Sequence, residues 1–112
     1  MLDAGTGLYR SIPLLRTRTL DIVLSHAHLD HIFGLTYLLD VVQHTTLQTI
    51  RVWGEAAKLA AVRQHLLHEL LVPAPLPVEW KALEEQPDNV PLCGARFRWF
   101  PLQHPGGSIG YR

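Results

Sequence analysis

Residues 25–31 constrain this chain more than any other stretch, because three imidazoles and a carboxylate fall within them directly after an apolar run. These side chains are those of His26, His28, Asp30 and His31. Histidine combined with a carboxylate is a ligand set of Zn, Mn or Fe sites. A polar loop that happens to be rich in histidine is the alternative, but the density of histidine here favours a metal site.

The spacing of the motif predicts two half-sites. Residues 21–25 form a short, mostly apolar run that is typical of a buried strand. If extended backbone continues beyond that strand, His26 and His28 point to the same side and can share one ion. Asp30 is a favourable N-cap for a helix over the apolar residues that follow. A turn into that helix could bring Asp30 and His31 together toward a second ion.

The motif, at a strand end before a helix, resembles the signature of the metallo-β-lactamase-fold hydrolases. Residues 2–7, Leu-Asp-Ala-Gly-Thr-Gly, resemble the Gly-rich turn that precedes the motif in that superfamily, and Asp3 of this turn would orient the metal-binding loop. Residues 104–112, which begin His-Pro-Gly-Gly, resemble the segment that holds the third metal-binding histidine. The residues of this segment are most similar to those of the tRNase Z (ribonuclease Z-like) and phosphodiesterase branch. The resemblance is specific for the superfamily and says little about the substrate.

This resemblance implies a metal site and a reaction. His26, His28 and His104 would hold one Zn²⁺ ion and leave a position for water, which becomes hydroxide near neutral pH. Asp30 and His31 would bind a second ion, and Asp30 is the candidate catalytic residue; Mn²⁺ or Fe could replace zinc. The expected activity is metal-dependent hydrolysis by this hydroxide. A phosphodiester, either a small molecule or a nucleic acid, is the first choice of substrate, and a lactone, thioester or β-lactam is the variant.

The same resemblance implies an α/β fold, half of a four-layer αββα sandwich with the metals at the strand edge. A bridging aspartate and a final histidine belong to the family's ligand set, and we expect both beyond Arg112. The first strands of the fold are likewise expected before Met1. We therefore interpret residues 1–112 as the N-terminal portion of one metallo-β-lactamase-like domain, truncated at both ends. This fragment is expected to be inactive, to bind one ion weakly and to expose apolar surface and strand edges.

Length and composition exclude several other classes of protein. With 112 residues the chain forms one domain at most. Its formal net charge of zero gives no global attraction to nucleic acid or membrane, although a local patch could still bind RNA. The single cysteine, Cys93, excludes an intrachain disulfide and is expected to pack as a small apolar residue. We find no signal peptide or membrane-spanning run, so we expect a soluble cytoplasmic protein, with a homodimer left open.

The alternation of predicted strands and helices also argues for an α/β fold. Strands are predicted at residues 20–25, 49–53, 78–83, 95–100 and 108–112, and helices at residues 32–42 and 55–71. An apolar stripe of Leu59, Val62, Leu66 and Leu70 indicates the second helix. In the resembling family a small residue at the position of Gly34 lets the first helix pack close to its neighbours.

Two functions besides hydrolysis stay open at this point. The first is an iron-dependent oxidoreductase, since some proteins of the same fold use these ligands for oxygen or nitric oxide chemistry. The second is a non-catalytic interaction module, a reading that the intact metal-binding motif disfavours.

Overall fold

The computed structural model describes residues 1–87, 90–92 and 94–112. The packing predicted for Cys93 therefore lies outside the described residues, as do Asp88 and Asn89. In the described part of the chain, no helix is both long enough and apolar enough to cross a membrane.

Short helices and strands alternate as far as Glu85, and four short strands follow, which confirms the predicted α/β fold. The strands are β1 (Thr19–Val23), β2 (Thr49–Gly54), β3 (Val78–Ala82), β4 (Val90–Leu92), β5 (Ala95–Phe97), β6 (Trp99–Leu102) and β7 (Ser108–Tyr111). The α-helices are α1 (Leu29–Ile32), α2 (Leu38–Gln43) and α3 (Ala56–Ala61), and 3-10 helices cover Thr6–Leu14, Phe33–Tyr37 and Leu83–Glu85. A π-helical turn, Val62–Leu66, continues α3.

The first three strands form a parallel sheet in the order β1-β2-β3, with Ile22 opposite Val52 and Val52 opposite Trp80. Successive side chains on a strand point to opposite faces, so each strand contributes to two layers. The helices cover one face, where the buried side chains are Leu20, Ile22, Ile50 and Val52 from the sheet and Leu35, Leu38, Val41, Leu59 and Val62 from the helical segments.

The C-terminal segment of the chain packs against the opposite face of this sheet. Here Val23 and Trp53 from the sheet contact the buried side chains of Leu83, Val90, Leu92 and Ile109. β4 pairs with β5 and β6 pairs with β7, both antiparallel. The prediction of a single strand at residues 95–100 is therefore wrong in one respect. Arg98 separates two strands, β5 and β6, which pair with β4 and β7 respectively. The layers of helix, parallel sheet and antiparallel pairs are those expected for a partial αββα sandwich.

The helix after the metal motif differs from the prediction. It begins at Leu29 and passes from α-helix to 3-10 helix and back, and Asp30 is not its N-cap, because His28 precedes the helix. The N-terminal turn explains the interruption. The Ala4 N–H donates to the His31 carbonyl (2.7 Å) and the Gly34 N–H donates to the Ala4 carbonyl (2.7 Å). The Gly34 N–H therefore bonds to another segment, whereas in a continuous α-helix it would bond to a carbonyl of the helix itself.

The predicted helix over residues 55–71 is shorter in the structure. The regular helix and its π-helical turn end at Leu66. Leu59 and Val62 are buried and Leu66 is partly buried, as the apolar stripe predicts, whereas Leu70 is 84% exposed. The Leu67 N–H bonds to the Val62 carbonyl, which widens the last turn, and the proline-rich residues 73–77 cannot continue a helix.

Alanine at Gly34 is expected to lower the free energy of unfolding by about 2 kcal/mol, because overpacking against backbone cannot relax through a rotamer change. A Cβ atom there would lie 2.1 Å from the Gly5 carbonyl oxygen and 2.7 Å from that of Ala4. Urea unfolding measures the change. Gly7→Ala is the matched control, since a Cβ at Gly7 meets no described atom within 4 Å. Equal stability of the two variants would contradict the close approach at Gly34.

Candidate metal centre

Three imidazoles from two distant parts of the chain meet beyond the carboxyl end of β1. The ring centroids of His26 and His28 lie 4.6 Å apart, as expected for side chains on the same side of an extended segment. His104, which follows β6, places its ring centroid 4.5 Å from that of His26 and 4.8 Å from that of His28. One potential ligand nitrogen from each residue lies within 4.8 Å of the other two.

The adjacent pair Asp30 and His31 lies beside this cluster. The His31 ring centroid is 4.1 Å from that of His26, and Asp30 Oδ2 is 3.5 Å from His31 Nε2. The Asp30 side chain is 80% exposed, so its carboxylate faces solvent. The structure thus brings the two residues together, as the motif predicts, although the predicted capping role of Asp30 was wrong. Within the described residues, the group of three or more candidate ligands contains neither of them.

Asp3 orders the residues around this site. Its φ of 54° is a left-handed conformation that is rare for residues other than glycine and is maintained only where the surroundings support it. Asp3 Oδ1 accepts the Ser25 N–H (2.7 Å), while Oδ2 accepts the Ser25 hydroxyl and the His31 Nδ1–H (2.8 Å each). The orienting position proposed for Asp3 by the resemblance is therefore matched by direct hydrogen bonds.

The hydrogen-bond network assigns the tautomers of the histidines. The Ser25 hydroxyl donates to Asp3, so it accepts from His26 Nδ1–H at 2.8 Å. His104 Nδ1–H donates to the Pro105 carbonyl at 2.8 Å. Because each ring carries its proton on Nδ1, the Nε2 lone pairs of His26, His31 and His104 are available to a cation. Ser25 was not predicted to take part in this arrangement, and its position next to His26 is the sequence signal that could have indicated it.

The donor set fits a divalent cation. Burial, followed by the neighbouring imidazoles of His31, His104 and His28, lowers the pKa of His26 below its ordinary value. A lowered pKa keeps His26 neutral near pH 7, and the neutral imidazole is the form that binds metal. Clustered imidazoles match the ligand preference of zinc and of neighbouring transition metals.

β7 fixes the far side of the site. The Ile109 N–H donates to the Ser25 carbonyl at 2.9 Å, and the Tyr111 hydroxyl donates to the Leu24 carbonyl at 2.7 Å. Burial raises the pKa of Tyr111 well above its usual value, so the phenol stays a neutral donor. These bonds join β7 to the end of β1, and they keep the segment that contains His104 beside the motif.

Comparison with known proteins gives one family and two solved structures. The sequence profile of the Metallo-beta-lactamase superfamily matches residues 1–91. The crystal structure of a diphosphatase from the PhnP family superposes with a TM-score of 0.71 at 19% identity, over 99% of this chain and 42% of that one. Zn²⁺-bound PqqB from Methylobacterium extorquens superposes with a TM-score of 0.59 at 17% identity, over 97% of this chain and 40% of that one. A search of curated proteins gives no match.

These findings agree with the architecture described above. The chain spans about two fifths of the length of either solved structure, and at these identities the likeness concerns the fold alone. The profile match covers residues 1–91, which include the whole motif at residues 25–31. The chain belongs to the metallo-beta-lactamase superfamily.

Proposed function

We propose that this chain carries the metal-binding part of a metal-dependent phosphodiester hydrolase. The observation that carries the proposal is the convergence of His104 with His26 and His28, whose ligand nitrogens all lie within 4.8 Å of one another. The diphosphatase among the structural neighbours supports phosphorus chemistry. The Zn²⁺ of PqqB supports zinc as the ion, and Mn²⁺ or Fe are the other candidates.

The residues of this chain have distinct tasks in the proposed reaction. His26, His28 and His104 hold the first cation, while Asp30 and His31 contribute to a second. A bound divalent cation supplies Lewis acidity and activates water near neutral pH. Asp30, with its carboxylate exposed and 3.5 Å from His31 Nε2, is the proposed catalytic residue, because it can accept a proton at Oδ2 beside an arriving substrate.

Two residues behind the histidines orient them. Asp3 accepts hydrogen bonds from His31 and Ser25, and Ser25 in turn accepts one from His26. Outer partners of this kind hold an imidazole in one tautomer and one orientation. The site is thereby prepared before a cation or a substrate arrives, which reduces the reorganisation that binding requires.

The proposed substrate is a small phosphodiester in the cytoplasm. Ten basic and ten acidic residues leave no net charge to attract a polyanion such as RNA. We further propose that residues 1–112 are the N-terminal portion of a larger domain, since both solved structures are more than twice as long. A nucleic-acid substrate and a homodimer are the alternatives that the sequence leaves open.

Metal analysis combined with hydrolysis of bis(p-nitrophenyl) phosphate tests the proposal. The 112-residue chain is expected to bind one Zn²⁺ and to hydrolyse this diester at the background rate, because the second position has only Asp30 and His31 among the described residues. A longer protein that contains the chain is expected to hydrolyse the diester faster than a lactone or a β-lactam. Failure to bind any divalent cation would contradict the proposed function. Turnover by the short chain at ordinary enzyme rates, about 1–10³ s⁻¹, would contradict the assignment as a portion of a domain.

A further inference from the structure

The loop that carries His104 has little packing of its own. Residues 104–107 are exposed, and the Gly107 N–H closes a turn on the His104 carbonyl at 2.8 Å. Gly106 and Gly107 have φ values of +77° and +75°, which L side chains rarely adopt. Two of the four residues therefore contribute no side chain to the core. An exposed loop with few buried contacts is mobile unless another element holds it.

Lys58 of α3 contacts this loop directly. Its ammonium donates to the Gly107 carbonyl at 2.9 Å and pairs with the carboxylate of Glu55, the residue that precedes the helix. A Cβ atom at Gly107 would lie 3.4 Å from Lys58 Nζ, at ordinary van der Waals distance, so the ammonium packs directly against this part of the loop. The Lys58 side chain is 17% exposed and that of Glu55 31%. An ion pair partly withdrawn from water is less screened than a fully exposed pair.

The start of α3 is itself fixed to the rest of the molecule. The Ala56 N–H donates to the Glu84 carboxylate, at 3.0 and 3.1 Å to its two oxygens. Leu59, next to Lys58, is buried in the core between the sheet and the helices. Lys58 therefore extends from a rigid element toward a loop that lacks internal support, and β7 holds the other end of the loop through Ile109 and Ser25.

We propose that Lys58, oriented by Glu55, is a positioning residue that holds the loop so that His104 stays within reach of His26 and His28. The inference rests on the proposed function, because it relates this tether, the hydrogen bond from Lys58 to the Gly107 carbonyl, to the same cation site. Lys58 contacts the loop carbonyl and not the imidazole, so it acts through the backbone of Gly107. Removal of the tether leaves the three histidine side chains present in the chain, but His104 then samples a wider range of positions. This weakens cation binding.

The experiment compares Lys58→Met, Lys58→Arg and Lys81→Met in the 112-residue chain. Methionine keeps the length of the side chain and removes its charge and donors, and Lys81, paired with Glu79 on β3, is the other lysine of the chain. Zn²⁺ affinity is measured by competition with a chromophoric chelator. Backbone ¹⁵N relaxation of His104, Gly106 and Gly107 is measured in the metal-free protein. Lys58→Met is expected to raise the Zn²⁺ Kd about tenfold, as loss of an outer partner of a metal site does, and to lower the heteronuclear NOE of the loop.

The control variants separate positioning from general stability. Lys58→Arg keeps the charge and donors and is expected to restore most of the affinity, and Lys81→Met is expected to match the wild type in both measurements. Glu55→Gln removes the negative charge that pairs with Lys58 and keeps the size of the Glu55 side chain. It is expected to shift both measurements in the same direction as Lys58→Met. Unchanged relaxation of the loop in Lys58→Met would overturn the inference. If the wild type binds no Zn²⁺, the proposed function fails, while relaxation of the metal-free loop still decides the role of Lys58.

Discussion

Replacement of His26 by alanine is expected to weaken Zn²⁺ binding by more than about 100-fold, beyond the range that outer partners of a metal site contribute. His26 is the central imidazole of the site, since its ring contacts those of His28, His31 and His104. Its loss removes a donor that burial keeps neutral. Competition with a chromophoric chelator measures the Zn²⁺ affinity. The absorption spectrum of the Co²⁺-loaded chain reports whether a tetrahedral site persists.

His65→Ala is the matched control for this experiment. His65 is exposed on the π-helical turn after α3 and belongs to no candidate ligand group among the described residues. Its variant is expected to bind Zn²⁺ with the affinity of the wild type. Equal losses of affinity in both variants would show that zinc binds to surface histidines, and unchanged affinity in His26→Ala would rule out the three-histidine site.

Replacement of Asp21 by alanine is expected to lower the free energy of unfolding by about 3 kcal/mol, because removal of one member of a buried ion pair leaves its partners uncompensated. The Asp21 side chain is 3% exposed and pairs with the Arg51 guanidinium through contacts of 2.7 and 2.8 Å. The buried Trp53 indole N–H donates to the same carboxylate at 2.8 Å. Arg51 is 31% exposed and can turn toward water, so the expected value lies at the lower end of the range for buried pairs.

Urea unfolding of Asp21→Ala beside Glu79→Ala tests this expectation. Glu79 pairs with Lys81 at 3.0 Å on β3 of the same sheet, but the two side chains are 53% and 36% exposed. An exposed pair contributes at most about 1 kcal/mol, so Glu79→Ala is expected to remain close to the wild type. A midpoint for Asp21→Ala as high as that of Glu79→Ala would contradict the structural role of the buried carboxylate.

The strands were predicted well where the hydrophobic pattern depends only on burial in the sheet. The predicted strands that correspond to β1, β2, β3 and β7 agree with the structure to within one or two residues, because alternation or a short apolar run reports directly on burial in a sheet. The two half-sites of the motif follow from the same local geometry: His26 and His28 point to one side, and Asp30 lies beside His31. Their function as metal ligands stays a prediction.

The errors arose where a distant segment competed for the same backbone groups. The 3-10 interruption at Gly34 depends on the Ala4 carbonyl, about 30 residues away in the sequence, and no local propensity reports such a bond. Leu70 matched the helical stripe by spacing, yet the chain leaves the helix before it. Helical periodicity shows which residues could share a face and does not show where tertiary packing ends the helix.

By itself, the sequence determined the family, the α/β fold class and the identity of the histidines and carboxylate near β1, since these depend on residue type at short spacing. The resemblance predicted that His104 and Asp3 approach the motif, and the tertiary structure brings them there. Only the tertiary structure revealed the hydrogen bond between Ser25 and Asp3 and the contact of Lys58 with Gly107. The physical reason is that contacts between distant segments are set by the packing of both faces of one sheet. Short-range patterns record burial but not the partner against which a residue is buried.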